Sequence, residues 1–145
     1  MKSVIRRQLA RSARGFTLIE MLVVIAIIAM LAGLVGPAVM SRLEGAKSKT
    51  AAIQIADLDK AIELFKLDVG RYPNNSEGLQ ALVSKPVSAA GWNGPYLKGG
   101  LPADPWGNPY HYANPGPNGG LEILSLGADN APGGEGENVD VRNKQ

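Results

Sequence analysis

The sequence predicts an α+β protein in which one long N-terminal helix packs on a small antiparallel sheet. Three observations predict it. Residues 16–36 are apolar apart from one charge, Glu20. Residues 38–69 stay helix-compatible and gather apolar side chains on one face. From residue 86 onward, proline and glycine recur so densely that only short strands and loops remain possible.

The first element lies behind a basic segment. Lys2, Arg6, Arg7, Arg11 and Arg14 are the only charges in residues 1–15, and they supply +5 of a net +2, leaving −3 for residues 16–145. The basic pI is therefore local. No basic stripe interleaved with aromatics follows, which excludes a nucleic-acid interface. Residues 16–36 would rise roughly 31 Å as a helix, close to the hydrocarbon thickness of a bilayer. Basic residues flank only their N-terminal side, so the positive-inside bias puts the N-terminus in the cytoplasm and the bulk of the chain across the membrane.

Glu20 is the anomaly in this span. An acid at the centre of a membrane helix is disfavoured by about 2.5–3.5 kcal/mol on insertion scales and calls for a partner. A secretory signal peptide would need a cleavage site after the apolar run, and Met30-Leu31-Ala32-Gly33 offers a poor one. A plain membrane anchor gives no reason for the small-residue break at Arg14-Gly15-Phe16. Gly33, Gly36 and Pro37 lie where the helix should leave the bilayer, and Pro37 predicts a bend or a melted turn. A kink without function is an equal reading of Gly36-Pro37.

Further along, Ile55, Leu58, Ile62, Phe65 and Val69 recur at i, i+3, i+7, i+10 and i+14, one face of a helix that Gly70 should stop. Lys49, Gln54, Asp57, Lys60, Glu63 and Lys66 form the solvated side. Residues 71–82 begin as a loop and continue as a short helix capped by Asn75 or Ser76. Short strands are expected at residues 96–98, 109–112 and 121–126, where Tyr110 and Tyr112 alternate with His111, and Leu121, Ile123 and Ser125 with Glu122, Leu124 and Leu126. Trp92 and Trp106 are read as core or loop plugs rather than ligand-stacking groups.

The chemistry available is limited. There is no cysteine, so disulfides and thiolate metal sites are excluded. His111 is the one histidine and lies between two tyrosines in an expected strand, with no Gly-x-Ser-x-Gly element to work with. No catalytic residue is assigned. A phosphate-binding Gly-x-x-x-x-Gly-Lys-[Ser/Thr] loop is also absent. Residues 126–140 hold Asp129, Asn130, Glu135, Glu137, Asn138 and Asp140 on a glycine-rich loop. Hard oxygens on such a loop suit calcium. The EF-hand template fails at Ala131, however, and composition by itself favours a solvated acidic loop.

Gly15-Phe16-Thr17-Leu18-Ile19-Glu20 followed by a long apolar run resembles the class III signal of the type IV pilin and pseudopilin superfamily. The resemblance implies that a prepilin peptidase removes residues 1–15 by cutting after Gly15 and N-methylates Phe16. It also implies that the new Phe16 amine pairs with Glu20 of a neighbouring subunit, which supplies the missing partner in trans. Phe16, Glu20 and Pro37 are then the assembly residues, in a membrane half over residues 16–37, and residues 38–145 form a periplasmic domain.

Arg71-Tyr72-Pro73, Glu77-Gly78-Leu79, Gly94-Pro95-Tyr96-Leu97, Asp104-Pro105-Trp106-Gly107-Asn108-Pro109-Tyr110 and Leu126-Gly127-Ala128-Asp129-Asn130 occur in that order and resemble the major pseudopilins of type II secretion. This implies a pilin-like fold and a subunit, held in the bacterial inner membrane, of a periplasmic filament that exports folded proteins. Its partners would be further copies of itself, the prepilin peptidase, minor pseudopilins and an inner-membrane assembly platform, with energy from a separate ATPase. The same resemblance reverses the reading of the acidic loop. It implies a calcium ion held by Asp129, Asp140 and the carbonyls of Leu126 and Val139, the last standing where the family often has a second carboxylate. An adhesive or motility pilin and a monomeric membrane-tethered calcium module are the alternatives. Many pilins close their C-terminal region with a disulfide, which this chain cannot form.

Overall fold

The structure, a computed structural model, describes residues 15–143. The basic leader over residues 1–14 lies outside the described residues. The chain divides into two units, one ending at Ala38 and the other beginning at Val39, and each is described by itself.

Helix α1 runs over Leu18–Val69, 52 residues, with Pro37 inside it. The melted turn expected at Pro37 is therefore absent. Pro37 has a φ suited to a helix, and although it withdraws one N–H and crowds the carbonyl a turn earlier, the bonds of the adjoining turns carry the helix past it. In the first unit the apolar side chains face outward: Ile19 is 69% exposed and Met30 80%. The stretch is long and apolar enough to cross a membrane.

In the second unit α1 supplies the wall of the core. Ile55, Leu58, Ala61, Ile62 and Phe65 are buried on one face, and Val69 is partly buried beside them. Against them pack Leu79, Ala81 and Leu82, together with Ala89, Tyr110 and Ile123. The stop at Gly70 is as expected, with φ +83° and its N–H on the Lys66 carbonyl at 2.8 Å. No side chain but glycine enters that left-handed region freely.

Residues 78–82 form a 3-10 turn rather than an α-helix. Its approach is organised by Asn74, not by Asn75 or Ser76. The Asn74 amide oxygen accepts the N–H groups of Ser76 and Glu77 at 3.0 and 2.9 Å. An Asx side chain one residue earlier reaches both donors, which is why the expected caps have no such role. Arg71 grips Glu77 with two bonds of 2.7 Å and also donates to Ser88 at 2.8 Å, clasping this loop to the next.

The sheet has three antiparallel strands in the order β1 (His111–Ala113), β2 (Glu122–Ser125) and β3 (Val141–Arg142). Tyr112 pairs with Ile123, and Ser125 with Val141. The strand expected at residues 96–98 does not form. Pro95 has no N–H to give a ladder, and the Tyr96 N–H goes to the Leu82 carbonyl at 2.7 Å. β3 takes its place in the sheet. Trp92 is half-buried, donates to the Ala81 carbonyl at 2.7 Å and meets Tyr96 edge to face. It plugs the loop, as expected.

Candidate functional site

Two places carry the residues singled out by sequence: the N-terminal start of α1, and the loop between β2 and β3.

At the first, Phe16 is 79% exposed and Gly15 has open space around its Cα. The carboxylate of Glu20 is engaged by its own helix. The Thr17 N–H and the Thr17 hydroxyl both donate to Glu20 Oε2, at 2.7 and 2.9 Å, and the Glu20 N–H donates to the Thr17 hydroxyl oxygen at 3.3 Å. This is a reciprocal cap, satisfying orphan donors at the helix start with one Thr and one Glu three residues apart. Sequence reasoning that sought a partner on another chain missed Thr17, although the Thr-x-x-Glu spacing was there to be read. Glu20 Oε1 makes no hydrogen bond among the described residues. Pro37 is distant from both groups along α1, and no described contact links it to them.

At the second place, Leu126 follows β2, and Val139 and Asp140 precede β3, so the sheet pairing brings the two arms of the loop back together. Between the arms the Ala128 N–H donates to the Glu137 carbonyl at 2.9 Å, and the Gly133 N–H to Asp140 Oδ1 at 3.1 Å. Gly127 makes the closure possible. It is buried at φ +68°, and a Cβ there would lie 2.7 Å from the Glu137 carbonyl oxygen. Asp129 is exposed and accepts the Ala131 N–H at 3.2 Å. Asp140 Oδ2 also meets Arg142 at 3.1 Å. The carbonyls of Leu126 and Val139 accept no hydrogen bond among the described residues.

The donor set is therefore two carboxylates and two uncommitted carbonyls on joined arms, all hard oxygens of the kind calcium accepts. Among the described residues no three acidic or histidine side chains converge, so a cation here depends on backbone oxygens. A further contact ties the loop to α1: Lys47 and Glu137 pair at 2.8 Å.

Beneath the first arm lies a polar cluster that sequence reasoning named only as a motif. Asp104, 4% exposed, accepts the Ser125 hydroxyl at 2.6 Å and the N–H groups of Trp106 and Asn108 at 3.1 and 2.8 Å. The Asn108 side chain donates to the Gly127 carbonyl at 2.8 Å. Tyr110, buried next to this loop, has its phenol pushed up by burial and then by the Asp104 charge. His111 is exposed in β1, and no described residue makes it part of a site.

Comparison with known proteins gives consistent results. Residues 38–144 match the family model described as type II secretion system (T2SS), protein G. Residues 10–36 match the prokaryotic N-terminal methylation motif. The type II secretion system core protein G of Pseudomonas aeruginosa is 46% identical over 137 residues, covering 92% of this chain and 96% of that protein. Its counterpart from Vibrio cholerae is 42% identical, covering 92% of each. The crystal structure of the major pseudopilin from the type 2 secretion system of enterohaemorrhagic Escherichia coli superposes with a TM-score of 0.62 at 32% identity, over 72% of this chain and 91% of that one.

Proposed function

This chain belongs to the type II secretion system protein G family, and we propose that it works as the major subunit of a secretion pseudopilus, a periplasmic filament whose growth drives folded proteins through the outer membrane. The observation that carries the reading is the division of labour along α1. Its first part exposes apolar side chains around one capped carboxylate, while its second part is the wall of a folded core.

Physically, the subunit waits in the inner membrane with residues 16–37 in lipid, its N-terminus cytoplasmic and residues 38–145 in the periplasm. A prepilin peptidase removes the leader after Gly15, and the amine of Phe16 becomes a cation at membrane depth. Two charges unpaired in apolar surroundings cost more than one pair, so a neighbour's Glu20 draws that amine into register. Thr17 occupies only Oε2 of Glu20, which leaves Oε1 for the incoming amine. The apolar flanks of α1 supply cohesion once they leave lipid for each other. Other copies of the chain, minor pseudopilins and an inner-membrane platform are the partners in this scheme, and no catalytic role is assigned.

The loop between β2 and β3 holds a calcium ion in the same reading, through Asp129, Asp140 and the carbonyls of Leu126 and Val139. When bound, calcium supplies the positive charge that lets two carboxylates share a loop with little apolar surface of its own. Polymerisation of the Glu20→Ala variant tests the assembly reading. A variant that still forms filaments would refute the Glu20 pairing, and an unmutated chain that forms none would reduce the protein to a monomeric membrane-tethered module.

A further inference from the structure

We infer that Asp104 and Asn108 are positioning residues for the calcium site, a role that rests on the calcium reading above. They would act by fixing two successive peptide planes after β2. The Gly127 N–H donates to the Ser125 hydroxyl oxygen at 3.3 Å, and that hydroxyl is itself held by Asp104 at 2.6 Å. The Leu126 carbonyl shares a peptide plane with the Gly127 N–H. In a trans peptide the two point in opposite directions. Anchoring the N–H on buried Ser125 therefore turns the Leu126 carbonyl away from the core, free to face a cation.

The next plane is gripped at both ends. Asn108 Nδ2 donates to the Gly127 carbonyl at 2.8 Å, and the Ala128 N–H on the opposite side of that plane donates to the Glu137 carbonyl at 2.9 Å. The first grip comes from the loop before β1 and the second from the other arm of the acidic loop. Between them they set where the chain emerges toward Asp129. Asn108 is in turn tied to Asp104 by its own N–H at 2.8 Å and its carbonyl at 2.8 Å.

Asp104 is a costly way to close a turn for its own sake. Its carboxylate is buried and pairs with no cation among the described residues, so three hydrogen bonds carry its charge. That expense is understandable if the turn it closes must present a carbonyl to a cation.

The test uses the full chain purified in detergent, with calcium chloride as the probe. Calcium affinity is measured by calorimetric titration, and thermal melting is followed with excess chelator. For Asn108→Ala and the near-isosteric Asp104→Asn, the dissociation constant should rise at least about tenfold, as for loss of groups that orient metal ligands. A role in stability alone would lower the melting temperature equally with calcium and with chelator and leave the dissociation constant unchanged; that result overturns the inference. Amide hydrogen exchange of the unmutated chain gives an arm that needs no variant. In chelator, the Gly127 and Ala128 amides should exchange far more slowly than those of Asn130 and Gly134, and equal rates would overturn preorganisation. If the unmutated chain binds no calcium, the calcium reading itself fails and takes this inference with it, an outcome distinct from unaltered binding by the variants.

Discussion

Thr17 and Glu20 close on each other across the first turn of α1: two Thr17 donors converge on Oε2 of the carboxylate at 2.7 and 2.9 Å, and the hydroxyl oxygen receives the Glu20 N–H at 3.3 Å. The acid that looks isolated in the sequence thus has a partner within its own helix. In the proposed assembly, its other oxygen is the one that receives a neighbour's amine.

Replacing Thr17 should consequently weaken assembly less than replacing Glu20. Thr17→Ser keeps both donors and should polymerise normally. Thr17→Val keeps the backbone bond but loses the hydroxyl, and should slow filament formation without abolishing it. Glu20→Gln removes the charge and should abolish it. Filament yield by sedimentation and electron microscopy separates the three.

The clasp between Arg71 and Glu77 should govern stability in acid. Its two hydrogen bonds from Arg71, ahead of those from Ser88 and Asn74, hold the Glu77 carboxyl down to about 2, below its ordinary 4.5. A carboxylate depressed in the folded state stabilises fully above its unfolded value and loses that contribution as pH falls through the folded one. The contribution is thus intact above about pH 4.5 and fades between there and about pH 2. Glu77→Gln should flatten the stability-against-pH curve in that window. At pH 7, Arg71→Ala should cost about 1–3 kcal/mol by chemical denaturation, since it strands a charged acceptor.

Core and surface positions of α1 should respond oppositely. Phe65 is fully buried in the cluster with Leu82 and Ile123, so Phe65→Ala should destabilise by about 3–5 kcal/mol. Leu67, two residues on, is 79% exposed, and Leu67→Ala should stay within about 0.5 kcal/mol. Denaturant unfolding of both variants reads the contrast.

Calcium should stabilise the domain by mass action. At a hundredfold excess over its dissociation constant an ion bound only to the folded state adds about 2.7 kcal/mol, so chelator should lower the melting temperature visibly. Asp129→Ala should remove the response to chelator. Gly127→Ala should remove it too, because φ +68° and a Cβ placed 2.7 Å from the Glu137 oxygen forbid the closed loop.

The parts of this fold that follow from local periodicity were legible in the sequence. Ile55, Leu58, Ile62 and Phe65 repeat along a helix and lie buried on one face, and Gly70 ends it as its freedom at positive φ allows. Tyr112 and Ile123 fall in segments expected as strands and pair across the sheet. What stayed hidden depends on where separate loops meet. The Tyr96 N–H is claimed by the Leu82 carbonyl, so a segment with strand-like residues never joins the sheet. β3 is two residues long, too short for any alternation to announce it. Asp104 and Ser125 lie 21 residues apart and share no spacing pattern, yet their bond of 2.6 Å sits under the loop that carries Leu126 and Asp129. Thr17 was hidden for another reason: the search for a charged partner for Glu20 overlooked a neutral one three residues away.

The central claim is that cutting after Gly15 creates the positive terminus that Glu20 of a neighbour receives. Intact-mass and N-terminal sequence analysis of chains taken from purified filaments tests it most directly. The account predicts that every chain begins at an N-methylated Phe16. Filaments built from chains that still carry residues 1–15 would contradict it.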